Sequence, residues 1–406
     1  MVSSDRQHSG TKLVILALSL CGLLVPSQLY VSITLITPIG STFEVSPQIA
    51  LWVGSAFGFA YAVGFVVFGP QSDRYGRKKV LVSGLLALTL STLGVAASLS
   101  FDVMIILRCV QGLSAATFVP AALAYVGETL PQNAQTTGLA YVTTGLIASG
   151  IFGQVYAEVI SGVWGWRWVF WLAAPVFLIF AFILFQQLSG TAGVNPDAGL
   201  VGVYKRMGRL FSRRPLIVIF TVSLTVFGSF VAMYTALGPH LEYGHGLRDS
   251  EVLLVRIVGL PGMLVAPFVS QLAVRWSPRT LVVGGFTASA MGLIVEVMTS
   301  SMVFLVAGSI FFVAGIATVA PSLVALLLSF AHDARGAAVS VNNFALFFGA
   351  SLGPFLTRLL DFTGVCLVLA IVLLTAAAVV GVVVPVSSLA GAGRMANAHD
   401  RVPPGQ

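Results

Sequence analysis

Apolar residues fall along this chain in runs of about twenty, long enough for a helix to cross the roughly 30 Å hydrocarbon core of a bilayer. Twelve such runs are present, over residues 13–36, 50–69, 80–98, 103–127, 136–160, 166–187, 216–238, 251–272, 280–298, 303–327, 336–358 and 362–385. Short polar connections separate them. The first run is too long for the apolar core of a signal peptide and lacks a small-residue cleavage site, so it is taken as the first span. The pattern predicts an all-α integral membrane protein.

The two halves of the chain echo one another. Pro120 and Pro321 stand 201 residues apart, Gly153 and Gly353 stand 200 apart, and the polar stretch GPQSDRYGRKKVLV has a worn counterpart, VRWSPRTLVV, at a similar offset. A shared offset in twelve spans predicts two pseudo-symmetric six-helix bundles, an N-terminal one over 1–187 and a C-terminal one over 216–387. Between them, residues 188–215 form a linker with a turn-rich start and a second part, LVGVYKRMGRLFSRR, of amphipathic pattern. Leu200, Val203, Tyr204, Met207, Leu210 and Phe211 share one helical face and Lys205, Arg206, Arg209 and Arg213 the other, which suits a helix on the inner leaflet; a solvated basic linker is the alternative. Residues 388–406 form a tail.

Composition narrows the functions. Of 406 residues 57% are hydrophobic and 9% charged, so the bilayer is the main solvent of the surface. Sixteen of the 21 lysines and arginines fall in connections on one side, which places both termini in the cytoplasm; a cytoplasmic (inner) membrane is the expected location. The net charge of +7 is gathered in short clusters beside apolar runs, which favours anionic lipid headgroups over nucleic acid. Cys21, Cys109 and Cys366 all lie inside apolar runs, without disulfide or metal spacing. His240, His245 and Glu242 share an outer loop and read as a solvated loop more readily than as a metal site. No catalytic constellation and no phosphate-cradling loop is present, so the sequence predicts neither an enzyme, an ATP-driven pump nor a cofactor protein.

Three motifs carry a resemblance. GPQSDRYGRKK, between spans 2 and 3, closely resembles the loop signature of the major facilitator superfamily, with Gln71 where that family usually has leucine. Gly69, Asp73, Arg74, Gly76, Arg77 and Lys78 match it in type and spacing. RCVQG, with Arg108, Gln111 and Gly112, resembles the superfamily's R-x-x-Q-G element, and an arginine inside a span is expected to face the interior or a cavity. In span 5, Gly145, Gly150 and Gly153 resemble an antiporter signature that continues into a W-R-W-x-F element, although Gln154 replaces a glycine and Ile151 a proline.

The resemblance implies the superfamily's twelve-helix fold and a secondary transporter similar to bacterial drug:proton antiporters. The expected function is proton-coupled efflux of a small apolar or amphipathic solute by alternating access, by a monomer. Proton-coupled import of a sugar, organic acid or amino acid is the alternative, and a non-transporting receptor a third. In the expected latch, Asp73 faces the N-terminal end of span 11 near Gly336 and Arg77 pairs with Glu128; the competing role for these cations is topology and lipid binding. Arg108 is expected to be oriented by Gln111, within reach of Gln28 and Tyr30. Depth matching sets Glu158 of span 5 opposite Arg256 of span 8 as an outer gate, and Gln28, Tyr30, Phe118, Tyr234, Phe311 and Phe312 are expected to line the substrate cavity. The proton's carboxylate is left open among Glu128, Glu158 and Glu296.

Overall fold

The computed structural model describes residues 2–189, 200–244, 246–247, 249–298, 301–331 and 334–385. Among these residues the chain is helical throughout, with turns and short extended links. The spans are α1 (Val2–Thr42), α2 (Trp52–Tyr75), α3 (Arg77–Ala97), α4 (Phe101–Ala115, continued as Phe118–Thr129), α5 (Gln132–Trp164) and α6 (Trp166–Gln187) in the first bundle. The second holds α7 (Arg214–Pro239), α8 (residues 249–275), α9 (Pro278–Val297), α10 (Met302–Phe330), α11 (Arg335–Leu356) and α12 (Phe362–Val383).

Local chemistry sets the ends. Gly76, between α2 and α3, has φ 94°, and Gly165, between α5 and α6, has φ 88°. Both reversals need a left-handed residue, which glycine supplies without a Cβ clash. Ser100, Ser277 and Asp361 cap α4, α9 and α12 with side-chain oxygens, answering amide groups that the helix cannot satisfy itself.

Ten helices among the described residues are continuous, long and apolar enough to cross a membrane, and α5 adds another with a bend of 43° between Leu146 and Ala148. Span 8 departs from expectation. It is broken into an α-helix over Asp249–Gly259, a 3-10 stretch over Leu260–Phe268 and a last α-helix over Val269–Arg275. Pro261 and Pro267 each remove an amide donor from the ladder, which favours the tighter, weaker helix over the expected unbroken span.

The repeat has a structural counterpart. A Cβ placed on Gly153 would lie 2.6 Å from the Ser27 carbonyl oxygen, which is how closely α5 approaches α1. On Gly353 it would lie 2.6 Å from the Gly228 carbonyl, so α11 seats on α7 in the same way. The two six-helix bundles meet chiefly along α2 and α11, which are in contact through most of their length. Trp52 packs on Phe355 (ring centroids 5.0 Å), Phe59 on Phe348 (5.3 Å), and Tyr61 and Phe65 on Phe347 (4.5 and 5.3 Å). At the inner end Gly69 lies against Ser340.

The linker helix forms over Leu200–Leu210 as its pattern predicts, but it is not simply laid on lipid. Met207 and Leu210 are buried, and the helix touches α11 and α2, so it covers the inner end of the seam. Tyr204 and Phe211 stay exposed, as do Lys205, Arg206 and Arg209; the side chains of Leu200 and Val203 lie outside the described residues.

Gly112 of α4 supplies a test of packing, because a Cβ there would overlap the Phe57 carbonyl of α2 while a Cβ on Gly127 of the same span meets nothing within 4 Å. Gly112→Ala is expected to destabilise the detergent-solubilised protein by about 1–3 kcal/mol, as overpacking does. Gly127→Ala, by contrast, is expected to hold or slightly raise its melting temperature.

Candidate functional site

At the inner end of the first bundle, α2 stops at Tyr75, turns on Gly76 and restarts as α3 at Arg77. That turn aims Arg77 at the last turns of α4. Its Nε donates to Glu128 Oε2 at 3.2 Å and its Nη2 to Oε1 at 2.8 Å, a two-point guanidinium–carboxylate contact. Nη1 donates to Ser72 and also pairs with Asp73 one turn earlier. Asp73 pairs with Arg77, and among the described residues it makes no hydrogen bond or ion pair to the start of α11. The residue of this loop that reaches α11 is Gly69, whose missing side chain admits Ser340. Lys78 also leaves the cluster, with its ammonium 5.0 Å from the Phe185 ring centroid on α6, and Arg74 lies over Tyr75 at 5.6 Å.

Deeper in the same bundle Arg108 is fully buried. Its Nε donates to the Val53 carbonyl at 2.9 Å, Nη1 to Gln111 Oε1 at 2.7 Å and Nη2 to the Gln28 carbonyl at 2.9 Å. The guanidinium lies 4.5 Å from the Phe57 centroid and 5.8 Å from that of Phe170. Gln111 in turn donates to Thr92 Oγ1 at 2.8 Å and, more weakly, to Gln28 Oε1 at 3.4 Å. One arginine thus ties α1, α2 and α4 together, with α3 joined through Gln111. Tyr30 is not among its partners. That ring faces the other bundle and meets Phe230 edge-on at 6.0 Å.

Where the bundles meet, aromatic side chains collect. Tyr61 packs on Phe57, Phe65 and Phe347, and Phe347 on Phe227. Tyr30, Phe230 and Tyr234 continue the layer. Gly150 opens toward this centre, since a Cβ there would stand 3.7 Å from Met263 Cε and Tyr30 Cζ and 3.8 Å from Phe230. Polar side chains sit on the helices that meet at this layer. Gln154 donates to the Gly150 carbonyl at 2.9 Å, and Asn342 Oδ1 accepts from Ser223 at 2.7 Å. Gln154 Oε1, Asn342 Nδ2 and the Tyr61 hydroxyl are buried without hydrogen-bond partners among the described residues. In this state the gap between the bundles near Leu29, Gly54 and Thr235 amounts to only about 10 Å³.

Several expected positions fall elsewhere. Gly145 and Gly153 seat α5 on α1, so they pack helices and only Gly150 faces the centre. Phe118 and Phe312 are buried in the cores of their own bundles. Phe311, one position from Phe312, turns outward and lies 62% exposed on the lipid-facing side. A helix rotates its side chains by about 100° per residue, and here that step takes one ring to the core and its neighbour to lipid. The outer segments of α5 and α8 do touch, but the Arg256 side chain lies outside the described residues, as does His245. His240 stacks on Phe362 at 4.3 Å. Glu296 is buried between α9, α10 and α12, where Cys366 Sγ lies 3.7 Å from Oε2 and Oε1 has no partner among the described residues. The seam residues Tyr61, Phe347, Phe227 and Asn342 were missed, although Phe57, Tyr61 and Phe65 recur every four residues on one face of α2. A second omission is Arg358, which reaches the Gln48 carbonyl across the outer end of the seam and lies 4.5 Å from the Phe355 centroid.

Comparison with known proteins agrees with this geometry. The family model described as the Major Facilitator Superfamily matches residues 18–354. The MFS-type transporter YceJ of Bacillus subtilis (strain 168) is 27% identical over 318 residues, covering 77% of this chain and 80% of that protein. The "Probable multidrug resistance protein EmrY" of Escherichia coli (strain K12) is 27% identical over 177 residues, which is 44% of this chain and 35% of its own. Among solved structures, a D-xylose-proton symporter superposes with a TM-score of 0.69 at 17% identity, over 93% of this chain and 98% of that one.

The Arg108 cluster is testable through its geometry. Arg108→Lys keeps the charge but not the fork that reaches three acceptors on α1, α2 and α4. The melting temperature of the purified protein is expected to fall by the equivalent of about 1.5–3 kcal/mol, the usual worth of a hydrogen bond to a charged group. A Lys variant as stable as the parent would show that the fork is not what holds these helices.

Proposed function

The chain belongs to the Major Facilitator Superfamily, and on that premise we propose that it exports a small apolar or amphipathic solute in exchange for protons, by alternating access. The observation that carries this reading is the aromatic seam between the bundles, with three buried polar atoms that lack partners, Gln154 Oε1, Asn342 Nδ2 and the Tyr61 hydroxyl. Buried polar groups are normally satisfied, so unpaired atoms on the helices that line this seam are atoms that a solute can pair with. The Arg108 guanidinium lies against Phe57, a ring in contact with Tyr61, and suits a neutral or anionic solute better than a cationic one. The multidrug relative EmrY, and the three glycines on α5, support export.

In this reading the protein lies in the inner membrane with both termini in the cytoplasm, which the charge asymmetry supports. The Arg77–Glu128 contact stiffens the inner end of the first bundle, while Gly69 against Ser340 and the linker helix close the inner side of the seam. Arg358 on the Gln48 carbonyl and Trp52 on Phe355 close the outer side. Switching would release one end while keeping the other. Arg108, Gln111 and Gly112 act by positioning α1, α2 and α4 around the solute.

Everted membrane vesicles incubated with a neutral or weakly acidic aromatic dye test this directly. Dye accumulation is expected to require a proton gradient, and Arg77→Ala and Asp73→Asn are expected to slow it severalfold at unchanged protein level in the membrane. Accumulation that survives collapse of the gradient would end the antiport reading.

Glu158 and Arg256 are proposed as an additional outer gate, because α5 and the first segment of α8 are in contact. Single and double alanine variants would be compared for outward opening, read by labelling of a cysteine placed at the outer mouth. The expected coupling is about 0.2–1 kcal/mol, typical of a half-wet ion pair. Strictly additive effects would dismiss the gate.

A further inference from the structure

A second concave surface lies away from the seam. Between α8, α9 and α10 a groove of about 270 Å³ opens on the lipid side of the second bundle, lined among others by Trp276, Gly284, Ala288, Phe311 and Thr318. Glycine carves its wall. A Cβ on Gly284 would meet nothing within 4 Å, whereas Gly285 beside it is packed on Val319 and Gly315. The groove is therefore open at Gly284 and backed by tightly packed α9 and α10. Phe311 (62% exposed) stands at its mid-membrane end and Trp276 (54% exposed) at the other.

Its length matches one leaflet. From Trp276 to Ala288 the chain climbs about 18 Å at 1.5 Å per residue, close to half of a roughly 30 Å hydrocarbon core. The end marked by Trp276 lies on the same side as the Arg77 cluster, because α8 runs back toward it and α9 leaves from it. Tryptophan prefers the headgroup level. Next to it Arg275 is exposed, and its guanidinium has no hydrogen-bond or ion-pair partner among the described residues. Arg279, one turn on, is already committed to the Gly381 carbonyl of α12. A free cation at the wet end of an apolar, leaflet-long groove is complementary to one molecule type in particular.

We propose that this groove binds an anionic phospholipid of the inner leaflet, with one acyl chain along Gly284 and the phosphate on Arg275. The site is separate from the solute path, since α9 and the lipid-facing side of α10 take no part in the seam. It gives the second bundle a fixed lipid partner at the base of its broken helix α8.

Native mass spectrometry of the delipidated protein, titrated with phosphatidylglycerol or phosphatidylcholine of identical chains, tests the proposal. The wild type is expected to retain one phosphatidylglycerol in preference to phosphatidylcholine. Gly284→Leu fills the groove where a side chain has room, and is expected to weaken that binding at least about tenfold, since each buried methylene is worth about 0.8 kcal/mol. Its melting temperature should stay at the wild-type value when both are measured without added lipid. Arg275→Gln is expected to lower phosphatidylglycerol affinity about fivefold, the worth of one surface cation, and to erase the headgroup preference. Wild-type binding by Gly284→Leu, or equal affinity of the wild type for the two lipids, overturns the proposal. So does a change from dimer to monomer on introducing Gly284→Leu, which would make a second copy the occupant.

Discussion

A guanidinium that cannot reach water must find every one of its acceptors inside the protein, and Arg108 shows what that demand does to a helical bundle. Its acceptors are the main-chain carbonyls of α1 and α2 and the amide of Gln111, while Phe57 and Phe170 cover its faces. None of these partners is an anion, so the charge is held by dipoles and ring faces alone. The arrangement works only if the carbonyls of Gln28 and Val53 are presented at fixed depth. That depth is set by close approach, Gly112 on Phe57 and Gly153 on Ser27. Polar satisfaction and glycine packing thus depend on each other, and together make the first bundle a single stiff body.

The contact between the bundles is built on the opposite principle. Along α2 and α11 it consists of aromatic faces at 4.5–5.3 Å and of glycine–serine contacts, Gly58 on Ser351 and Gly69 on Ser340, with a hydrogen bond from Arg358 to the Gln48 carbonyl at the outer end. Ring contacts have shallow orientation preferences, worth about 0.5–1.5 kcal/mol each, so they hold without fixing a register. A stiff first body lightly joined to its partner is what a rocking motion needs.

Much of this was legible in the chain. Span positions, the two halves, the linker helix and the pairing of Arg77 with Glu128 follow from hydropathy, shared offsets and charge at helix ends, which are all local or periodic signals. What escaped was decided by helix rotation and by nonlocal fit. Phe311 and Phe312 look alike in sequence, yet one faces lipid and the other the core. Asp73, expected at a helix dipole, pairs with a neighbouring guanidinium, a full charge one turn away. The break in α8 was visible as Pro261 and Pro267, but prolines also occur in continuous spans here, Pro26 in α1 and Pro175 in α6 among them, so their presence alone does not foretell a break.

That break has a mechanical consequence. The 3-10 stretch of α8 is the element that touches α5 beside Gly150, through Met263, at the level where the two bodies meet. Opposite it stands a first bundle pinned at its core; within it, two missing amide donors leave the main chain with fewer bonds per residue to deform. When force passes between the bodies, displacement concentrates in the softer member. The molecule is therefore lopsided as a machine: its symmetry is one of topology, and its compliance belongs to one half.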